Sequence, residues 1–113
     1  MRIISESVNR PELKRMAAAM FGDMVKAVVD IEKNLIAVDA ELHSDLEALL
    51  LENGSHQKNL WGINLYPEMR GDDFIEYDSM INLRPSQGNK SRSVDSEEIR
   101  SKIVEVVTQR IER

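Results

Sequence analysis

The chain has 113 residues, of which 42% are hydrophobic and 31% charged, the size and balance of one globular domain spanning residues 1–113 rather than a disordered segment. It holds no cysteine, which excludes disulfides, thiolate nucleophiles and cysteine-based zinc sites and fits a reducing, cytoplasmic setting. The net charge of −5 argues against general nucleic-acid binding, and the apolar run Met16–Phe21 is too short to span a bilayer.

Met1–Ser5 reads as a short edge strand. Asn9 then offers an N-cap, with Glu12 three residues on to complete a capping box. Leu13, Met16, Ala17, Met20 and Phe21 follow at helical spacing, and Gly22 supplies the stop. Met24–Ile31 is rich in valine and reads as a strand. Glu32-Lys33-Asn34 turns it into a hairpin partner over Leu35–Leu42. Ser44 with Glu47 makes a second capping box, opening a short helix through Leu46, Leu49 and Leu50 that Asn53-Gly54 ends. Leu60–Tyr66 is a strand closed by Pro67. Arg70–Asp73 turns the chain, and Phe74–Arg84 is expected to pair back as one long strand. Asp95 with Glu98 is a third capping box, ahead of a C-terminal helix striped by Ile99, Ile103, Val106, Val107 and Ile111.

The expected fold is therefore α+β: a mostly antiparallel sheet of four to five strands, built from two hairpins, with three helices in the order α-β-β-α-β-β-α. Strand side chains alternate between faces. One parity collects Val25, Ala27, Val29 and Ile31, then Ile36, Val38, Ala40 and Leu42, then Trp61, Ile63 and Leu65, then Ile75, Tyr77, Ile81 and Leu83. These sets are expected to bury against the long helices. The other parity is polar, with Lys26, Asp30, Asp39, Glu41, His43, Asn64, Tyr66, Glu76, Asp78, Asn82 and Arg84. Its simplest reading is a solvated face laced with cross-strand ion pairs.

Against that acidic background the loop Arg84–Arg92 stands out, with Arg84, Lys90 and Arg92 basic and no acid among its residues. A guanidinium fork suits carboxylate or phosphate, and Gly88 frees the backbone to turn amides toward an anion. Ser86, Gln87 and Asn89 add polar contacts, while Asn64, Tyr66 and Asn82 form the adjacent wall. The leading functional expectation is a module for a small anionic ligand, phosphate or nucleotide-like, at this loop and the neighbouring polar face. The glycine spacing is not that of a P-loop. The competing reading is an exposed connection whose Arg84 pairs with Asp78 or Glu76.

A small hydrolase is the second expectation, with Asp30, Glu41, His43 or Asp78 as acid and base. Glu41 and His43, two residues apart on one strand, would share a face and could reach one metal ion. With only His43 and His56 in the chain, their spacing matches no metal motif, and no signature names a cofactor. A third reading is a homodimer or protein-interaction domain using a strand edge or apolar helix face.

Phe21–Asp30, Glu41-Leu42-His43, Leu60–Asn64 and above all Ile81–Asn89 resemble the uncharacterised prokaryotic domain family DUF5674 over nearly the whole chain. The resemblance implies a compact single-domain bacterial or archaeal protein. It implies no activity and no functional residues.

Overall fold

The computed structural model describes residues 1–112 and has the element order β-α-β-β-α-β-β-α. The strands are β1 (Arg2–Ile4), β2 (Val25–Asp30), β3 (Leu35–Val38), β4 (Leu60–Leu65) and β5 (Ile75–Glu76). The helices are α1 (Arg10–Ala19), α2 (His43–Glu52) and α3 (Glu97–Arg110). The five strands form one antiparallel sheet in the order β1-β3-β2-β4-β5, so the expected α+β class and both hairpins are present.

Local chemistry explains most of these elements. Asn9 sits in extended backbone and its side-chain oxygen accepts from the Glu12 amide at 2.9 Å, capping α1 as the sequence pattern predicts. Glu12 reaches Arg2 of β1 at 2.7 Å, tying the helix to the sheet edge. The β2–β3 turn is organised by Asp30, whose Oδ1 accepts from the amides of Glu32 and Lys33 at 2.9 Å each. Asn34 takes the left-handed position of that turn with φ +56, a conformation asparagine tolerates better than most residues.

Most of the first parity set buries as expected, but Leu42 is exposed and Ala40 packs on the α2 side. Val25, Ala27, Val29, Ile36, Val38, Ile63 and Leu65 pack with Leu13 and Ala17 of α1 and with Ile103, Val106 and Val107 of α3. The opposite face is polar only in part. Val28, Ala37 and Leu60 lie on it and meet Leu46 and Leu50 of α2. The sheet is thus held between two helix layers, and the strip left uncovered by α2 is the cross-strand row Lys26, Asn64, Glu76.

Four element boundaries differ from the sequence reading. β3 stops at Val38 rather than Leu42, because Asp39 adopts φ +72 and breaks the extended run. α2 starts at His43 with Leu42 at the cap, so the Ser44–Glu47 box does not form. Ser96, not Asp95, caps α3, its hydroxyl accepting from the Ile99 amide at 3.2 Å. The expected long strand Phe74–Arg84 ends at Glu76, and the chain continues through 3-10 turns at Met80–Asn82 and Pro85–Gln87. Ile81 consequently packs on the α2 face, while Leu83 is exposed.

The last difference has a specific cause at Gly62. A Cβ there would lie 2.5 Å from the Ser79 Cβ, so the absent side chain lets the loop press onto β4. The edge of β4 is then satisfied by side chains in place of a strand. Asn82 accepts from the Gly62 amide at 2.8 Å and donates to the Gly62 carbonyl at 2.9 Å, while Arg84 donates to the Leu60 carbonyl. Covering a strand edge in this way meets the demand that buried backbone groups be paired.

Candidate functional site: a polar cleft beside the start of α2

The donors of the 84–92 loop are largely engaged within the chain. Arg84 stacks on the buried Trp61 ring, 4.1 Å from its centroid, and its fork donates to the carbonyls of Gln57 and Leu60 at 2.5 Å each, while its Nε is buried without a partner. Burial lowers its pKa, and the Glu47 carboxylate of α2 opposes that shift. Asn82 is fully buried on the β4 edge. Asn89 is buried too, donating to the carbonyls of Asn82, Ser91 and Ser93 and accepting from the Asp95 amide. The loop also has an internal anion. The Asp95 carboxylate accepts from the Lys90 amide at 3.0 Å and from the Ser91 hydroxyl at 2.7 Å, which lower its pKa. Gly88, at φ +83, closes the 3-10 turn, and Ser86, Gln87 and the Lys90 side chain are on the surface.

Arg92 reaches the other side. Its Nε donates to the Asp78 carboxylate at 2.8 Å, and both residues line a cleft of about 390 Å³. The floor is the open row Lys26, Asn64 and Glu76, in direct cross-strand register. One wall is the start of α2, Leu42–Ser44, and the other is the Asp78–Ile81 segment that Gly62 admits. His43 and Asp78, candidates of the hydrolase reading, and Asn64, expected in the wall of the anion site, meet here.

Asn64 has the most constrained environment of the three. Its Nδ2 donates to Glu76 Oε1 at 2.8 Å and to the Asp78 carbonyl at 3.3 Å, and two acceptors there fix the amide orientation. Its Oδ1 is therefore an acceptor, and it is buried with no hydrogen-bond partner in a residue only 5% exposed. Glu76 Oε1 also accepts from the Tyr66 hydroxyl at 3.0 Å, and burial with that carboxylate raises the tyrosine pKa.

His43 lies across the cleft. Its Nε2 is 2.8 Å from the Ile63 carbonyl, and since a carbonyl only accepts, Nε2 carries the proton. Nδ1 is then the acceptor of the neutral ring. Burial lowers the His43 pKa and Lys26 adds to the effect, while the Ile63 carbonyl, Asp78 and the Asn64 amide pull the other way. Lys26 forms no ion pair among the described residues and rests over the Phe21 ring at 5.1 Å. Leu42 at the cap of α2 offers no side-chain hydrogen bond, while the Asp45 amide donates to the Leu42 carbonyl at 3.2 Å and the Asp45 carboxylate lies in the first turn.

The remaining candidates stand apart. Asp30 is fully buried, and its Oδ2 takes the Ser55 hydroxyl at 2.5 Å, completing the turn role of the other oxygen. Glu41 is exposed in the β3–α2 connection, outside the cleft, and does not share a strand with His43. Among the described residues, no group of three or more histidines, aspartates or glutamates is arranged to hold a metal ion. A larger hollow of about 580 Å³ lies between β5 and α3, where Arg100 stacks on Tyr77 at 4.4 Å. It lacks a buried unpartnered polar group, so its size alone does not make it the better site. Lys26 and Glu76 were legible as polar-face residues, but their role as the cleft floor depends on register that sequence spacing does not supply.

These features define a small α+β domain with helices on both sides of a five-stranded sheet and one polar cleft on the α2 side. The chain belongs to the family described as a protein of unknown function, DUF5674, whose model matches residues 2–110. No curated protein and no solved structure matches it. Among the described residues no helix is long and apolar enough to cross a membrane.

Proposed function

We propose that this protein is a binding module for a small polar ligand with an anionic group, seated in the Lys26–His43–Asn64 cleft rather than on the outer surface of the 84–92 loop. The observation that carries the reading is the buried, unpartnered Oδ1 of Asn64. A buried polar atom without a partner costs roughly 1–3 kcal/mol, a cost that a ligand donor in the cleft would remove. The anionic end of the ligand belongs beside Lys26 and the first amides of α2, where a helix start favours negative charge. A cleft of about 390 Å³ is at the small end of ligand sites, which favours a metabolite-sized molecule over a whole nucleotide.

The test is a thermal-shift panel of small carboxylates, phosphates and sulfonates on wild type, Lys26→Ala and Lys90→Ala. A ligand at 100 times its Kd adds about 2.7 kcal/mol of stability. The reading expects a shift that persists in Lys90→Ala and disappears in Lys26→Ala. The reverse pattern would move the anion to the loop, and the same shift in all three proteins would refute both locations.

One observation favours a second reading, a small hydrolase or proton-transfer enzyme. His43 is held in one tautomer by the Ile63 carbonyl and kept neutral by burial, a state suited to a general base acting through Nδ1. Ligand binding by wild type without any turnover would support the first reading, whereas turnover that His43→Gln abolishes would support the second.

A further inference from the structure

The cleft has two electrostatic ends, and their order across the sheet specifies more than an anion. Lys26, Asn64 and Glu76 lie on three adjacent strands in direct register. With strands about 4.8 Å apart, the cationic and anionic ends of that row are separated by roughly 10 Å of backbone, and Asn64 stands midway. Lys26 and the start of α2 are on one side. Glu76 and Asp78 are on the other, and both carboxylates line the cleft.

The acidic end is not neutralised. Asp78 is paired with Arg92. Glu76 receives only neutral donors, the Asn64 amide and the Tyr66 hydroxyl, both on Oε1. Between the ends, Asn64 Oδ1 is an acceptor with no donor at hydrogen-bond geometry, its only interaction being with the His43 ring, whose pKa it raises. A simple anion would satisfy the Lys26 end, meet Glu76 as a like charge and leave Asn64 unpaired. An ammonium or amino group placed against Asn64 Oδ1 and Glu76 resolves both deficits.

We infer that the ligand is a small zwitterion of amino-acid size, its carboxylate toward Lys26 and the start of α2 and its amino group donating to Asn64 Oδ1 beside Glu76. This rests on the cleft being the binding site and adds the ligand's chemical class. The exposed apolar side chains at the rim, Leu42 and Met80, would then lie alongside whatever side chain the amino acid carries.

The test uses ligands, so it does not depend on a variant folding. Calorimetric titration of the wild-type protein takes common α-amino acids and short ω-amino acids. Each is matched with its deaminated carboxylic acid and its decarboxylated amine. The expected result is at least one amino acid that binds tenfold or more tightly than both of its partial analogues. Glu76→Gln, a shape-conserving change, would narrow its advantage over the deaminated acid. Equal affinity for an amino acid and its deaminated acid would overturn the zwitterion and leave the anion-binding cleft standing. Binding of phosphates or sulfonates with none for amino acids would overturn it in the same way. Silence from every anion and every amino acid would overturn both.

Discussion

Gly62→Ala is the sharpest structural prediction, because two physical effects oppose each other in sign. Glycine inside a strand costs conformational entropy, so alanine at an unconstrained strand position would stabilise by about 0.4–1 kcal/mol. Here the new Cβ would meet Ser79 Cβ at 2.5 Å, Ser79 Oγ at 2.6 Å and Ile81 Cγ1 at 3.1 Å. Ordinary contact needs roughly 3.5–4 Å, so the 79–82 segment must retreat by about 1 Å or more. That retreat stretches both Asn82–Gly62 hydrogen bonds, now 2.8 and 2.9 Å. Overpacking of a buried site costs about 1–3 kcal/mol, and weakening a buried hydrogen bond adds about 1 kcal/mol each. The net expectation is a loss of about 2–4 kcal/mol, on the order of 10–20 °C in Tm for a domain of this length. Urea denaturation of wild type, Gly62→Ala, Ser79→Gly and the double variant measures it. The double variant is expected to recover at least half of the loss, since removing the Ser79 side chain reopens the space. An alanine variant as stable as wild type, or more stable, would refute the argument that close approach at Gly62 ends β5 early.

Two further outcomes follow from the same geometry. The His43 pKa is lowered from 6.5 in the folded protein, mainly by burial, so the neutral ring is favoured by folding. Its contribution is present above about pH 6.5 and is lost as pH falls toward the folded pKa, with a slope of at most about 1.4 kcal/mol per pH unit. Denaturation midpoints of wild type minus those of His43→Gln, measured from pH 8 down to pH 5, are expected to fall across that window. A flat difference would contradict a buried neutral His43. At the other end of the chain, Ser96→Ala is expected to cost about 1 kcal/mol and fray the first turn of α3, whereas Asp95→Ala loosens the Lys90 amide without shortening the helix. Hydrogen exchange at Lys90 and Ile99 separates the two, and fraying of Ile99 in Asp95→Ala would show that the cap had been assigned to the wrong residue.

Elements carried by local rules were legible in the chain. The Asn9 cap, the α3 stripe, the Leu13–Ala17 part of the α1 stripe (Met20 and Phe21 lie beyond the helix and are exposed), and the valine-rich β2 with its tight turn depend on neighbours three or four residues away. The misplaced features depend on backbone conformations and partners that a spacing rule does not show. Asp39 and Phe74–Arg84 alternate well enough to suggest continued strand, but a left-handed residue ends one run and Ser79 seated over Gly62 ends the other. Asp95 satisfies the capping pattern as well as Ser96 does, and it is drawn away by Lys90 and Ser91 in the preceding loop. The candidate site divides along the same line. Asn64, His43, Asp78 and Arg92 were marked by residue type and parity. Their meeting in one cleft required α2 to cover the rest of that face, which Val28, Ala37 and Leu60 dictate. Arg84, Asn82 and Asn89 attracted attention for their polar groups, and those groups serve backbone atoms 2–27 residues away in the chain.

The location of binding is tested most directly by amide NMR. Uniformly ¹⁵N-labelled protein titrated with small carboxylates and amino acids reports each backbone site separately. The largest shifts are expected to cluster at Lys26, His43, Ser44 and the Asn64 side-chain amide, with Ser86–Lys90 unmoved. Shifts confined to Ser86–Lys90, with the Asn64 side chain unmoved at saturating ligand, would contradict binding in the cleft.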